Sequence, residues 1–176
     1  MRLFHVSEES DIDVFEPRIP TRKDLDQSKG LVWAIEERCL PNFLTPRDCP
    51  RVCYHVGCET TDLHKQMYLS SELHSHVVVI EQKWFEVMKN TTLTIYEFDP
   101  AAFFLQDENA GYYVSESTVV PIAKWEVRDL FQELSSRGVD VRIVHDLWRI
   151  YDAIQHTTFH WSMCRMRNAE PRLREE

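Results

Sequence analysis

Two polar side chains interrupt an apolar stretch at the very start of the chain, His5 and Ser7 in "LFHVSEES". On a strand, successive side chains alternate between faces, so these two point the same way. An imidazole and a hydroxyl side by side can hold a ligand's hydroxyl or move its proton. Further along, the sequence supplies groups that could complete such a site: Arg18 in "EPR", Trp33 in "VWA", and Tyr112, Tyr113 and Glu116 in "GYYVSESTVV". A glutamate among β-branched strand residues is costly to bury unpaired. Glu116 therefore belongs on a solvated face or in a cleft, and the plain alternative is an exposed "SES" turn between two strands.

Other constellations compete with this one. "CPRVCYHVGC" places Cys49, Cys53, His55 and Cys58 close together, all zinc-ligand types. Zinc knuckles need two residues between paired cysteines, however, and Cys49 lies beyond Pro50; half-buried thiols account better for the segment. No metal is expected there. His156 and His160 stand four apart on an expected helix, but "HTTFH" lacks the glutamate of the metalloprotease motif. They read as surface or interface histidines of an amphipathic helix, with metal chelation as the competing use. His74 and His76 flank the start of a strand, and Asp146, after His145, reads as a helix cap. No G-x-S-x-G elbow is present, and Cys49 has no identifiable base partner.

The elements that must position these residues follow from periodicity and punctuation. Residues 2–6, 31–35, 51–57, 75–80, 93–98 and 139–144 read as strands. In "RVCYHVG", Val52, Tyr54 and Val56 face one side while Cys53 and His55 face the other. Residues 111–122 read as one strand, or as two joined at a bend. The segment "EPRIPTRKDLDQSKG" carries loop chemistry. Short helices are expected over 36–44 and 81–90. "KWEVRDLFQELSSRG" has Val127, Leu130, Phe131 and Leu134 at helical spacing, with Gly138 as a left-handed C-terminal cap. Asp146 caps a longer helix carrying Leu147, Ile150, Tyr151 and Ile154. The expected fold is α+β, a central, mostly antiparallel sheet with flanking helices, formed as one domain over residues 1–168. A polar tail follows at 169–176.

Composition removes several classes. The chain has 176 residues, 43% hydrophobic and 28% charged, which suits a globular domain with a substantial core. A net charge of −9 argues against a broad nucleic-acid surface, although a local basic pocket would remain compatible. The four glycines are scattered, which excludes glycine-rich nucleotide loops of the G-x-G-x-x-G and G-x-x-x-x-G-K types. The longest apolar run is far shorter than a membrane span. With no signal-like start and five cysteines, an odd number, the expectation is a cytoplasmic protein with reduced thiols.

Over nearly its whole length the sequence resembles a bacterial family of small proteins of unknown function. The stretches that carry the likeness are "LFHVSEESDIDVFEPR", "VWAIEERCLPNFLTPRDCPRV", "YEFDPAAF", "GYYVSESTVVP" and "RMRNAEPR". More distantly, the order "FHVS", "VWAI", "YYVSESTVV" resembles proteins of the ADP-ribosyltransferase fold, such as rifampin ADP-ribosyltransferase and the RNA 2′-phosphotransferases. That resemblance implies NAD as substrate, or an ADP-ribose-like nucleotide as ligand. His5 would then hydrogen-bond the nicotinamide ribose, Ser7 would shape its pocket, and Tyr112, Tyr113 or Trp33 would stack on the nicotinamide. Glu116 would take the place of the catalytic glutamate, with Glu108 and Glu126 as alternatives, and Arg18 would pair with the pyrophosphate. The sequence departs from the pattern in lacking a glycine after His5. The competing expectation is a non-catalytic ligand-binding or interaction domain. In it, the aromatic-rich helices around Trp84, Trp125, Trp148 and Trp161 would be partly buried in a homodimer.

Overall fold

The computed structural model describes residues 1–20 and 26–172. Residues 21–25 of the proline-rich loop and 173–176 of the tail lie outside them. Ten strands occur in chain order: β1 (Leu3–Ser7), β2 (Val32–Glu36), β3 (Arg51–His55), β4 (His76–Glu81), β5 (Leu93–Phe98), β6 (Phe104–Asp107), β7 (Tyr112–Ser115), β8 (Ala123–Val127), β9 (Val139–Val144) and β10 (His160–Cys164). The α-helices are α1 (Asp62–Tyr68), α2 (Phe85–Asn90), α3 (Leu130–Ser136) and α4 (Trp148–Ile154). The chain is α+β, as its alternation of short strands and amphipathic segments implies.

Contacts gather into two compact units, Met1–Phe43 with Thr92–Val127, and Leu44–Thr91 with Arg128–Glu176. In the first, six strands run in the order β6-β7-β2-β1-β5-β8, and every pairing is antiparallel. Its interior strand β5, "LTIYEF", is rich in β-branched and aromatic residues and is buried at five of six positions. Leu3, Tyr96, Phe98, Val32 and Ala34 form a core on one face, packed with Phe15, Phe103 and Tyr113.

The second unit carries four strands in the order β10-β3-β4-β9, of which only the β4–β9 pair is parallel. β4, "HVVVIE", is buried along its whole length, which explains its unbroken β-branched run. Val52, Tyr54, Val77 and Val79 pack with Leu147, Ile154 and Phe159. The alternation of β3 is as its sequence implies, with Val52 and Tyr54 on this face. α3 starts at Asp129, whose carboxylate accepts from Gln132 N at 2.9 Å. It ends at Gly138, whose φ of +70° is the left-handed conformation glycine adopts without strain.

Three boundaries differ from the sequence expectation. Residues 123–127 are a strand, not the first turn of α3, because Trp125 and Val127 alternate with Lys124 and Glu126 and pair with β5. α4 ends at Ile154, so His160 lies at the start of β10 and does not share a helix face with His156. That removes the helical His156/His160 pair. Residues 111–122 hold one short strand, β7, followed by a bend and an isolated bridge between Val119 and Phe15.

Candidate functional site

The strand registers decide which of the proposed residues share a face. Leu3 pairs with Glu36 across β1 and β2, and Ala34 pairs with Tyr113 across β2 and β7. Because faces alternate along each strand, His5, Ser7, Ala34 and Tyr113 lie on one side. Trp33 pairs with Val114, and Ile35 with Tyr112, so Trp33 and Tyr112 lie on the opposite side. There their rings meet edge to face, with centroids 5.5 Å apart. Tyr113 thus shares the His5 face, two strands away, whereas Trp33 and Tyr112 face away from it.

His5 is half-buried, and Trp33 and Phe15 are among its neighbours. Its Nδ1 lies 3.1 Å from the Trp33 carbonyl oxygen, and its ring meets the edge of Phe15 at 4.9 Å. A carbonyl oxygen can only accept, so Nδ1 is the donor in that contact, and in the neutral ring Nε2 is the acceptor atom. Phe15 also contacts Tyr96 at 5.1 Å and Phe98 at 4.9 Å, which makes this end of the face an aromatic core. The segment that brings Phe15 there is fixed by the Phe15 N to Val119 O bond of 2.8 Å and the return bond of 2.9 Å. Tyr96 braces the same loop, donating to Glu9 O at 2.7 Å and accepting from Ile12 N at 3.2 Å.

Ser7 closes its own turn by accepting from Glu9 N at 3.1 Å. Arg18 is joined to Leu31 through both backbone bonds, with its side chain exposed. Glu116 follows β7 on an exposed bend, where its Oε1 accepts from Lys29 Nζ at 2.8 Å. Contact with that carboxylate holds the Lys29 ammonium above the usual lysine range, the hydrogen bond contributing more than the charge. Of the two other glutamates, Glu108 lies in the exposed turn after β6. Glu126 is better placed by register, since Ser7 pairs with Thr94 and Thr94 with Glu126, so all three occupy the His5 face. Two strand spacings separate Ser7 from Glu126, roughly 10 Å.

The second unit holds an arrangement that local sequence spacing conceals. His160, His55 and His76 pair directly across β10, β3 and β4. Their rings stack, with centroids 5.4 Å and 5.1 Å apart and interplanar angles of 14° and 21°. Burial, reinforced by the His55 charge, pushes the His76 pKa down to about 3, so its imidazole is neutral at physiological pH. Gly57 lies against the His160 ring so closely that any Cβ there would collide with it. Among the described residues, no cluster of three histidine, cysteine or acidic side chains has a geometry that would hold a metal ion.

The cysteines are free thiols, with Cys39, Cys49 and Cys53 buried. Desolvation pushes the Cys49 thiol up to about 12 and Cys39 up to about 11, which suppresses the reactive thiolate. None of the helices among the described residues is long and apolar enough to cross a membrane.

Comparison with known proteins adds one decisive observation. Residues 4–169 match the model of a family of unknown function, DUF6886. The chain belongs to that family. The match spans both units and includes His5, Ser7, Tyr113, Glu116 and Glu126. No curated protein and no solved structure matches the DUF6886 chain, so its family membership carries no activity with it.

Proposed function

We propose that this DUF6886 protein binds NAD or an ADP-ribose-like nucleotide on the His5 face of the first unit and transfers or releases ADP-ribose. The observation that carries the reading is the orientation of His5. With Nδ1 donating to the Trp33 carbonyl, Nε2 of the neutral ring is the atom suited to accept from a ribose hydroxyl. Ser7 and Tyr113 lie on the same face, so a hydroxyl and a stacking ring accompany the imidazole. Arg18 is the candidate pyrophosphate contact, through its exposed guanidinium.

In the reaction, the C1′–N bond to nicotinamide breaks and the ring nitrogen takes the bonding pair, leaving as neutral nicotinamide. Positive charge then grows on the ribose C1′, and water or another acceptor captures it while losing a proton. A fixed carboxylate stabilises charge that exists fully only in the transition state. Glu116 is the first candidate for that carboxylate, and Glu126 the second, because its register places it on the His5 face.

The test is titration with NAD and with ADP-ribose, together with measurement of nicotinamide release. His5→Ala should abolish saturable binding. Whichever of Glu116→Gln and Glu126→Gln removes the carboxylate should slow release by about 100-fold, on the order of 3 kcal/mol in the barrier. Wild-type protein that neither binds nor turns over the nucleotides would overturn the proposal, as would a His5→Ala variant equal to wild type.

A second reading, a non-catalytic ligand-binding or interaction domain, is favoured by the Glu116–Lys29 pair in open solvent. It is favoured also by the edge strand β6, where Phe104 and Leu105 are each 49% exposed. ADP-ribose binding with no nicotinamide release, or a dimer by light scattering, would support that reading over the first.

A further inference from the structure

Within the second unit, a groove of about 640 Å³ runs between α1 and the turn at 69–75. That volume is of the size that takes a small molecule. One face of α1 supplies Lys65 and Gln66, and the turn supplies Ser70, Glu72 and His74. None of these residues belongs to the His5 face.

The histidine in this groove is positioned through a chain of hydrogen bonds. Ser70 Oγ donates to Asp140 Oδ2 at 2.7 Å, and the same carboxylate oxygen accepts from Arg142 Nε at 2.9 Å. Arg142 is itself fixed, donating to Tyr54 OH at 2.9 Å and to the Tyr68 carbonyl at 2.7 Å. Burial works against the ionised form of Asp140. The bonds from Ser70 and Arg142, with the Arg142 charge, outweigh it and hold the carboxyl below its usual range. Because the ionised carboxylate can only accept, the single hydroxyl proton of Ser70 points to Asp140. His74 Nδ1, 3.3 Å from Ser70 Oγ, must then be the donor in their contact. The relay runs His74 to Ser70 to Asp140, and in the neutral His74 ring it leaves Nε2 as the acceptor atom.

The groove's charged lining is two carboxylates, Asp62 and Glu72, against one ammonium, Lys65. Lys65 is already held by Asp62 at 3.0 Å, while Glu72 makes no ion pair among the described residues. A histidine acceptor, a glutamate and the Gln66 carbonyl call for a ligand rich in donors, and the carboxylate calls for positive charge. We propose that this groove binds a small molecule bearing an ammonium group, with Glu72 pairing the charge and His74 Nε2 accepting one of its protons. Polyamines and amino sugars share that chemistry.

The experiment titrates the full chain with spermidine, glucosamine and N-acetylglucosamine at physiological salt. Saturable binding of spermidine or of glucosamine is expected, each identifying its own source, with no binding of N-acetylglucosamine. Glu72→Gln and His74→Ala should each weaken binding by about tenfold or more, the loss of a charge-assisted contact. Glu86→Gln, an exposed change on α2, should leave it intact. Failure of both amines to bind would overturn the proposal, and so would binding that survives both groove variants. Equal weakening by Glu86→Gln would also overturn it, as diffuse attraction to an acidic chain, and so would tight binding of N-acetylglucosamine.

Nitrogen-15 shifts of the imidazole give an independent check on folded wild-type protein. His74 should carry its proton on Nδ1, and Ser70→Ala should move it toward Nε2. A wild-type proton on Nε2 would remove the acceptor and with it the proposal. Amine binding should persist in His5→Ala protein, so the outcome here is separate from that of the nucleotide reading.

Discussion

The two sheets use histidine in opposite ways. In the six-stranded sheet, His5 is half-buried and leans on a backbone carbonyl, which makes Nδ1 a donor and, in the neutral ring, Nε2 the acceptor. In the four-stranded sheet, His55, His76 and His160 lean on one another, and burial keeps His76 neutral far below the ordinary histidine range. What backs an imidazole decides its use. A carbonyl makes a directed hydrogen-bonding group, whereas neighbouring rings in a desolvated row make a packing element that acid opposes.

The largest expected effect tests the buried row. Below its unfolded value of 6.5, His76 binds a proton in the unfolded chain but not in the folded one until pH nears 3. Its neutral-state stability is therefore complete above pH 6.5 and is lost as pH falls through that window, by about 1.4 kcal/mol per pH unit. Denaturant titrations between pH 7 and 4 should show that slope, and His76→Leu should flatten it. An equal slope in the variant would place the acid sensitivity elsewhere.

Next in size is Phe15→Ala, which removes the ring packed on His5, Tyr96 and Phe98. A loss of about 3 kcal/mol is expected in chemical denaturation, with a shift in the His5 ring resonances. Unchanged His5 resonances would mean that Phe15 does not define the histidine's environment.

The two buried tyrosines extend the contrast. Tyr54 accepts from the Arg142 guanidinium, so Tyr54→Phe leaves a charged donor unmatched and should cost about 2 kcal/mol. Tyr96 bonds neutral backbone groups of the Glu9–Ile12 turn, and Tyr96→Phe should cost about 1 kcal/mol. Melting curves of the two variants, run side by side, check the ranking.

The smallest effect belongs to the exposed pair. Lys29→Ala removes the partner of Glu116 in open solvent, where ion pairs contribute little, and the melting temperature should not move measurably. A clear drop would mark Glu116 as a structural residue of the first unit.

Much of the scaffold is legible in the sequence, for reasons tied to particular residues. The runs at 31–35, 51–57, 75–80 and 93–98 are β-branched and aromatic because their strands lie inside sheets. Gly138 marks the end of α3 because no other residue type turns left so freely. α1 is hidden because it buries no residue, with Leu63 and Met67 each 63% exposed, so no apolar stripe announces it. Its one signal is Thr61, whose hydroxyl caps the helix by accepting from His64 N. β6 is exposed at all four positions and has no alternation to read. β10 reads as helix because the spacing of His156 and His160 fits an i, i+4 pair as well as it fits a turn and a strand.

The candidate site divides along the same line. Local period and residue type alone place His5 and Ser7 on one face, exclude glycine-rich nucleotide cradles and imply the α+β class. Strand pairing had to supply the rest: that Tyr113 joins His5 while Trp33 and Tyr112 turn away, that Glu126 aligns with Ser7, and that His55, His76 and His160 form one row. Those outcomes depend on register between segments far apart in the chain, His55 and His160 among them, and a shift of one residue would reverse every face.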